Sequence, residues 1–508
     1  MQLSEQQQAV VNWCKTGNGS CNVIARAGTG KSTLLLEVSK VVGGRAFLGA
    51  FNKSIAEELK DRLSSPNVSA GTMHSLGYTL WRKNRPKCDV DGRKVNYLAR
   101  GIFPYDKPCS NAVADAVGFA KLAGFGLPGI PNTEEAWSSL IDQYDLWDEI
   151  PESVSPGRIL EACQKVYQKS LDLAQESISK MDFSDMILLP LMFPNTNMAS
   201  YDWVMQDEAQ DLSETRRRLM YHVLKPGGRI LAVGDPAQCI YQFAGSSHNS
   251  MDLLKADLKS IELPLNVTYR CPRKIVEMAQ QWVPDFTAHP SAPEGVISRL
   301  SHSKFWEQEL FTSDVLLCRN TRPLLGIAQR LRKEGIACVV EGASGKSLIA
   351  LAEKWGDLPL HKWLVLLSGY EEKEVAKYHA KEDFERAEYV NEKCSMLRDF
   401  CDDLGDTDTT RELVRKIEFI FGEDDRARGD VIRLCTIHRF KGREANRVFL
   451  IGRNRYQPSK WAKTEEEHAG ERNLQYVAVT RVKKELVEVV VPMPPKNSGE
   501  EPIEWWEL

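Results

Sequence analysis

The first residues that could do chemistry are Lys31 and Ser32, which close the run Val23-Ile-Ala-Arg-Ala-Gly-Thr-Gly-Lys-Ser-Thr33. An apolar start, a glycine-rich bend and a helix-like continuation to Val42 have the form of a phosphate-binding loop between a strand and a helix. Gly28 and Gly30 admit backbone angles closed to other residues, so the segment Ala27, Gly28, Thr29, Gly30, Lys31, Ser32 and Thr33 can aim several N–H groups at one point before a helix N-terminus. In such a loop Lys31 reaches the β- and γ-phosphates of a nucleotide and Ser32 holds Mg²⁺. The usual first glycine of GxxxxGK[ST] is Ala25, so an ordinary glycine-rich strand–helix turn is the alternative.

Hydrolysis of a nucleotide needs more than a loop. It needs a carboxylate for the metal, a group that orients water, and positive charge on the γ-phosphate. Asp207 and Glu208, after the largely apolar Tyr201 to Gln206, offer the first two, although an Asp-Glu pair is also a common surface turn. Gln238 closes the next strand–turn, where its amide could bond the γ-phosphate. Arg270 and Arg481 are candidates for the cationic role, because a guanidinium fork suits phosphate oxygens. Gln6, Gln7 and Gln8 stand near the start of a short amphipathic helix before the loop, and an amide can both donate to and accept from an adenine edge.

The elements that must position these groups alternate. Arg45 to Ala50 and Asn67 to Gly71 read as strands, Lys53 to Leu63 and Met73 to Trp81 as helices, which means a parallel sheet wrapped by helices. The pattern stops near Arg85 and resumes after Asp182, with Gly157 to Lys180 helix-like in between. Tyr201 to Gln206 and Arg229 to Val233 are strands with polar groups at their carboxyl ends, where α/β sheets bind ligands. A second block reads strand, helix, strand from Asp314 to Val340, is interrupted, and returns with strands at Asp430 to Thr436, Arg447 to Ile451 and Leu486 to Val491. A helix is expected from Arg472 to Lys483, carrying Arg481. Gly342-Ala-Ser-Gly-Lys-Ser347 imitates a second phosphate loop, but Val340 stands where its first glycine should, and a flexible link is expected there. The charged run from Glu371 to Glu388 reads as a solvated helix face.

Composition sets outer bounds. The 508 residues, 42% hydrophobic and 27% charged, can bury full cores without staples. A net charge of −4 means that a nucleic-acid partner would have to be held by a local basic groove. Twelve cysteines, with no CxxC pair, point to reduced thiols and away from structural zinc. Without a signal-like start or a membrane-length apolar run, a cytoplasmic (or nuclear) protein, neither secreted nor membrane-bound, is expected.

The order of motifs resembles the UvrD/Rep/PcrA family of superfamily 1A DNA helicases, in a compact branch nearer to F-box DNA helicases or phage-type relatives. Gln7 follows Leu3 by four, and Ala-Gly-Thr-Gly-Lys-Ser matches motif I. Ala50-Phe-Asn-Lys53 looks like motif Ia, Gly71-Thr-Met-His-Ser-Leu76 like Ib, and Asp182-Phe-Ser-Asp185 like the DFxD element. Val204 to Asp211 matches motif II, and Val233 to Phe243 matches motif III. Thr268-Tyr-Arg270, Cys435 to Glu444 and Gln475 to Arg481 resemble motifs IV, V and VI.

The resemblance implies two RecA-like domains with an ATP site in the cleft between them: domain 1A at 1–85 and 179–264, domain 2A at 265–345 and 427–491. Mainly helical insertions 1B (86–178) and 2B (346–426) and a tail (492–508) complete the expected layout. It implies ATP and Mg²⁺ as cofactors, with Ser32 and Asp207 on the metal, Glu208 activating water, and Gln238, Arg270 and Arg481 on the γ-phosphate. It further implies that Gln7 reads adenine, Tyr269 stacks on it, and Glu444 faces the ribose. Phe51, Asn52, Thr72, His74, Tyr241, Phe243 and His438 fall at positions that touch single-stranded DNA.

The function implied is an ATP-dependent helicase or translocase moving 3′→5′ on single-stranded DNA and at junctions with duplex, in repair, recombination or replication, and acting as a monomer. A translocase that strips proteins from DNA and a slow nucleotide-gated scaffold are the alternatives. The chain departs from the family at Phe243-Ala244, where Trp-Arg is usual, at Phe440, Arg443 and Ala445 in motif V, and at Thr268 and Cys271 in motif IV.

Overall fold

The structure is a computed structural model that describes residues 3–493 except 52, 145, 152, 177, 195–199, 241–248, 342–343, 381–389, 391–392, 395, 399, 402–403, 406–407, 422–430, 460–461 and 463. The chain divides into two units, Met1–Asn266 and Val267–Leu508.

In the first unit six strands form one sheet: β1 (Cys21–Ala25), β2 (Ala46–Ala50), β3 (Val68–Thr72), β6 (Tyr201–Gln206), β7 (Leu224–Gly234) and β8 (Ile261–Leu265). Their order is β3-β2-β6-β7-β1-β8, and all neighbours run parallel. The central strands β1, β2 and β6 are buried on both faces, so alternate residues feed two cores. Val23, Leu48, Met205 and Val233 enter one, Phe47, Val204, Ile230 and Ala232 the other. Helices α1 (Glu5–Thr16), α2 (Lys31–Ser39), α3 (Lys53–Arg62) and α4 (Met73–Asn84) lie in the first half of the unit.

Between α4 and the resumption of the sheet, β4 (Cys88–Val90) pairs in parallel with β5 (Ser179–Met181). They flank α5 (Lys94–Ile102), α6 (Lys107–Ala123), α7 (Glu134–Gln143) and α8 (Pro156–Gln175), which share a separate core built around Trp137, Tyr167 and Val113. The expected helix Gly157 to Lys180 therefore ends earlier, because Ser179 and Met181 turn inward as strand residues. Helices α9 (Asp185–Met192), α10 (Glu214–His222) and α11 (Ser250–Leu258) complete the unit.

A charged knot ties this insertion to α9. Lys121 contacts Asp185 at 2.7 Å and Asp182 at 2.5 Å, Lys94 pairs with Asp185, and both lysines also reach Ser170. All four charges are buried. The Asp182-to-Asp185 element is here a structural anchor: Asp185 N–H donates to Asp182 and Asp182 N–H to Asp185.

The second unit repeats the architecture. A short parallel pair, β9 (Val267–Thr268) and β10 (Thr287–Ala288), precedes the sheet of β11 (Val296–Ser301), β12 (Val315–Cys318), β13 (Cys338–Glu341), β14 (Ile432–Thr436), β15 (Ala445–Ile451) and β16 (Val482–Val490). The order is β11-β16-β15-β12-β14-β13, again parallel throughout.

Two expectations are corrected here. Ser344–Ala352 is a helix, and no flexible link, because Leu348, Leu351 and Ala352 at helical spacing pack into the core. The helix expected at Arg472 to Lys483 runs from Glu465–Val479, opened by a Thr464–Glu467 capping box. Arg481 lies past its end, because the segment from Val482 pairs with two strands. The described part of the charged run lies in the helix Leu360–Ala380, and the rest lies outside the described residues. No described helix is long and apolar enough to cross a membrane.

Candidate active site and nucleic-acid contacts

The phosphate loop is a backbone object first. Gly28 (φ 68°) and Gly30 (φ 83°) adopt left-handed angles, which lets the chain turn from β1 straight into α2 with Gly30 as its N-cap. Thr29 braces the bend by donating to Arg26 O at 2.9 Å. Lys31, Ser32 and Thr33 open α2, and Ala27 and Thr29 are buried beneath them.

Helix α1 is keyed to this loop. Arg229 lies over the rings of Trp13 and Trp203, at 4.3 and 4.1 Å, and fixes the helix to the sheet. Ser4 and Gln7 form a capping box, so Gln7 Oε1 accepts from Ser4 N–H. Gln7 Nε2 donates to Thr29 O at 3.1 Å, and a Cβ on Gly30 would stand 2.6 Å from that nitrogen. Both ends of the Gln7 amide are thus engaged within the loop and cap. Gln6 instead pairs twice with Asn266.

Sheet order brings the carboxylates to the loop. β7 separates β1 from β6, and the carboxyl ends of the three lie in a row. Glu208, in a left-handed conformation (φ 51°), sends both carboxylate oxygens to Lys31 Nζ, at 3.0 and 3.1 Å. Gln210 Nε2 donates to the same carboxylate at 2.5 Å. Burial works against the charge of Lys31, but Glu208, Asp207 and Asp235 outweigh it and hold the ammonium above its usual range. Asp207 is buried, and burial followed by the charge of Glu208 pushes its pKa up to about 7, with Lys31 pulling partway back. Glu208 N–H caps Asp207 Oδ1 at 2.9 Å.

Asp235 is a hub that the motif search did not single out. It accepts from Arg26 at 2.9 Å and from Gln238 Nε2 at 2.7 Å, while its N–H donates to Gln210 Oε1 at 2.9 Å. Gln238 is therefore held against Asp235 beside the loop. Asp235 could have been found, since it follows the apolar end of β7 as Asp207 follows that of β6. Arg26 lies in the phosphate-loop run and Gln210 in the motif II stretch, but neither residue type there points to Asp235 as its partner.

The residues expected on DNA divide. Thr72 caps α4, accepting from Ser75 N–H at 3.1 Å. His74, two residues on, lines a small pocket with Phe51, which is exposed. Burial and then the charge of Arg216 bring the His74 imidazole down to about 4, so it is neutral at pH 7. Asn52, Tyr241 and Phe243 lie outside the described residues.

In the second unit Arg270 pairs with Glu444, and Glu444 also takes Lys483 Nζ at 2.6 Å. Burial raises the Glu444 carboxyl, but these two cations outweigh it and hold it low. Tyr269 is half exposed, with its ring 4.8 Å from that of His289. Arg481 is fully buried, giving Nε–H to Val477 O at 3.0 Å and an Nη2–H to Thr480 Oγ1 at 3.1 Å. His438 is half-buried, and its imidazole is held down to about 3 by desolvation and the nearby Arg319 and Lys441. Two of the motif V departures explain one another: the Arg443 guanidinium lies 4.6 Å from the Phe440 ring centre and is anchored to Glu341 at 2.5 Å.

Two parallel six-stranded α/β units of RecA-like type, the first carrying a phosphate loop faced by an Asp-Glu pair, define the P-loop nucleotide-hydrolase class. Residues 6–244 match the AAA domain family and residues 358–490 the UvrD-like helicase C-terminal domain. The chain is 24% identical over 540 aligned positions to F-box DNA helicase protein 1 of Schizosaccharomyces pombe, covering 96% of this chain and 57% of that protein. It is 22% identical to ATP-dependent DNA helicase Rep of Escherichia coli, over 55% of this chain and 43% of Rep. A probable DNA helicase II homolog of Mycoplasma capricolum is 21% identical, over 95% of this chain and 83% of that protein. The chain thus spans about half the length of the first two relatives. Over most of its length the chain is thus similar to UvrD/Rep-like superfamily 1 helicases.

Proposed function

We propose that the protein hydrolyses ATP in a DNA-dependent manner and uses the cycle to move 3′→5′ along single-stranded DNA, opening duplex at junctions. The observation that carries this reading is Lys31 held between the two oxygens of Glu208, with Asp207 beside them at the glycine-rich loop. ATP binding draws Lys31 onto the phosphates and releases the Glu208 carboxylate to orient water. Arg270 and Arg481 supply the charge that stabilises the transferring phosphoryl group.

Mg²⁺ fits the residues present. Asp207 is a buried carboxylate whose charge is costly beside Glu208, and a divalent cation supplies the compensating charge. Asp207 and the Ser32 hydroxyl would hold it, and it would neutralise charge on the β- and γ-phosphates. Phe51, Thr72, His74 and His438, with Asn52, Tyr241 and Phe243, are proposed to contact bases and backbone without sequence preference. The Gln7 amide must exchange a loop partner for adenine if it reads the base.

Steady-state ATPase with and without single-stranded DNA, beside unwinding of 3′- and 5′-tailed duplexes, tests the reading. Strong stimulation and preference for 3′ tails are expected. Preference for 5′ tails overturns the polarity, and strong ATPase with little strand separation favours a protein-stripping translocase. Glu208→Gln should lower DNA-stimulated turnover by roughly 10²-fold or more, the scale of a positioned base. Unchanged turnover sinks the catalytic assignment.

A further inference from the structure

A small pocket opens in the first unit where the carboxyl ends of β3, β2 and β6 lie side by side. Phe51, His74, Gln206, Glu208, Asp211 and Arg216 stand on its walls. Glu208 faces Lys31 as well, so one carboxylate belongs both to the phosphate loop and to this pocket. Arg216, on α10, is not part of the motifs read from the sequence.

The guanidinium of Arg216 is under-used. Among the described residues its Nε is buried with no partner, as is Oε1 of Gln206 on the same walls. Its bond from Nη1 to Asp211 O is long, at 3.5 Å. A buried donor left unmade is costly, so a group that satisfies it is strongly favoured. The negative charge of Asp211 acts on it. Asp211 in turn accepts from Gln210 Nε2 at 3.1 Å, and that same nitrogen donates to Glu208 at 2.5 Å. Gln210 is pinned from its other end by Asp235 N–H at 2.9 Å. Arg216 thus touches the main-chain carbonyl of Asp211, whose carboxylate shares the Gln210 amide with Glu208, and this series of contacts runs from the pocket to the carboxylate at the phosphate loop.

Phe51, 39% exposed, brings this wall of the pocket to solvent and makes its mouth. Neutral His74 leaves Arg216 as the cation on these walls. The interior admits little more than the centre of one water-sized sphere, about 10 Å³, so an anion is met at the mouth, and the guanidinium must turn toward it. That turn loosens its hold on Asp211.

We propose that Arg216 is a positioning residue that takes a backbone phosphate of the bound strand at this pocket and, through Asp211 and Gln210, sets the aim of Glu208. The proposal rests on the DNA-dependent hydrolysis proposed above. It gives that dependence a route: strand on one side of the carboxylate, nucleotide on the other. A guanidinium suits the task because its fork can hold phosphate and carbonyl oxygens in one plane, which an ammonium cannot.

The test compares wild type, Arg216→Gln and Arg216→Lys, using oligo-dT as the strand. With Arg216→Gln the ratio of DNA-stimulated to unstimulated kcat should fall at least tenfold, with KM for ATP within twofold. The slope of log K for oligo-dT against log salt should shrink by about 0.7, the loss of one single-strand phosphate contact. Arg216→Lys should restore the slope but not the stimulation. A merely structural role would leave the salt slope alone. If Arg216→Gln shows wild-type slope and stimulation, the proposal is overturned while DNA-dependent hydrolysis stands. If wild type itself is not stimulated, both fall. Should Arg216→Gln fail to fold, judged by its melting transition, Arg216→Lys decides: full stimulation overturns the proposal, and wild-type slope with lost stimulation supports it.

Discussion

At the scale of single residues, the loop and the Asp207-Glu208 pair are legible because their chemistry is written in short strings. Their partners are not. Lys31 meets Glu208 across 177 positions, and Arg26 meets Asp235 across 209. Those meetings depend on strand order, which no local pattern carries. Protonation is equally hidden, since burial decides it. His438 shows the consequence. Its folded pKa, about 3, lies below the ordinary 6.5. The unfolded chain therefore binds more protons between these values, and stability is full above pH 6.5 and lost as pH falls toward 3. The loss approaches about 1.4 kcal/mol per pH unit in that window. Asp207 works in the opposite sense, its raised pKa favouring the fold as pH falls below about 7. The informative quantity is thus a difference: His438→Asn should flatten the fall of the melting temperature between pH 6.5 and 4.5 relative to wild type. Parallel melting curves across that range would refute a neutral His438.

At the scale of elements, alternation of strand and helix is readable, and the two α/β sheets follow from it. Boundaries are less so. Arg481 was expected on a helix because the run from Arg472 to Lys483 is helix-compatible, but strand pairing from Val482 onward wins. The insertion in the first unit offered no motif, and its anchor could not be foreseen, because Lys94 and Lys121 stand 91 and 61 positions from their aspartates. That anchor gives an element-level prediction. Lys121→Met leaves Asp182 and Asp185 buried with one cation between them, which should cost about 3–5 kcal/mol. Denaturant unfolding should show the loss. A change under about 1 kcal/mol would mean that the aspartates take up protons or water at little cost.

At the scale of the whole molecule, the groups proposed for hydrolysis are divided between the units. The loop, Asp207, Glu208 and Gln238 belong to the first, and Arg270 and Arg481 to the second. Two nearly matching sheets, of which only the first carries a phosphate loop among the described residues, are understandable if the second supplies charge rather than a nucleotide cradle. Arg481 now has a structural task as well, because it donates to carbonyl and hydroxyl groups at the end of the helix Glu465–Val479. A fall in activity on its removal would therefore be ambiguous alone. Arg481→Lys keeps the charge and loses the fork, whereas Arg481→Ala loses both. If Arg481 acts on the γ-phosphate, Arg481→Ala should lower DNA-stimulated kcat by roughly 10³-fold or more, with binding of a fluorescent ATP analogue within a few-fold. Arg481→Lys should recover a minor part. If both variants melt earlier by the same margin and keep kcat within tenfold of wild type, the residue is a helix cap and nothing more, and the transferring phosphate must draw its charge from Lys31 and Arg270.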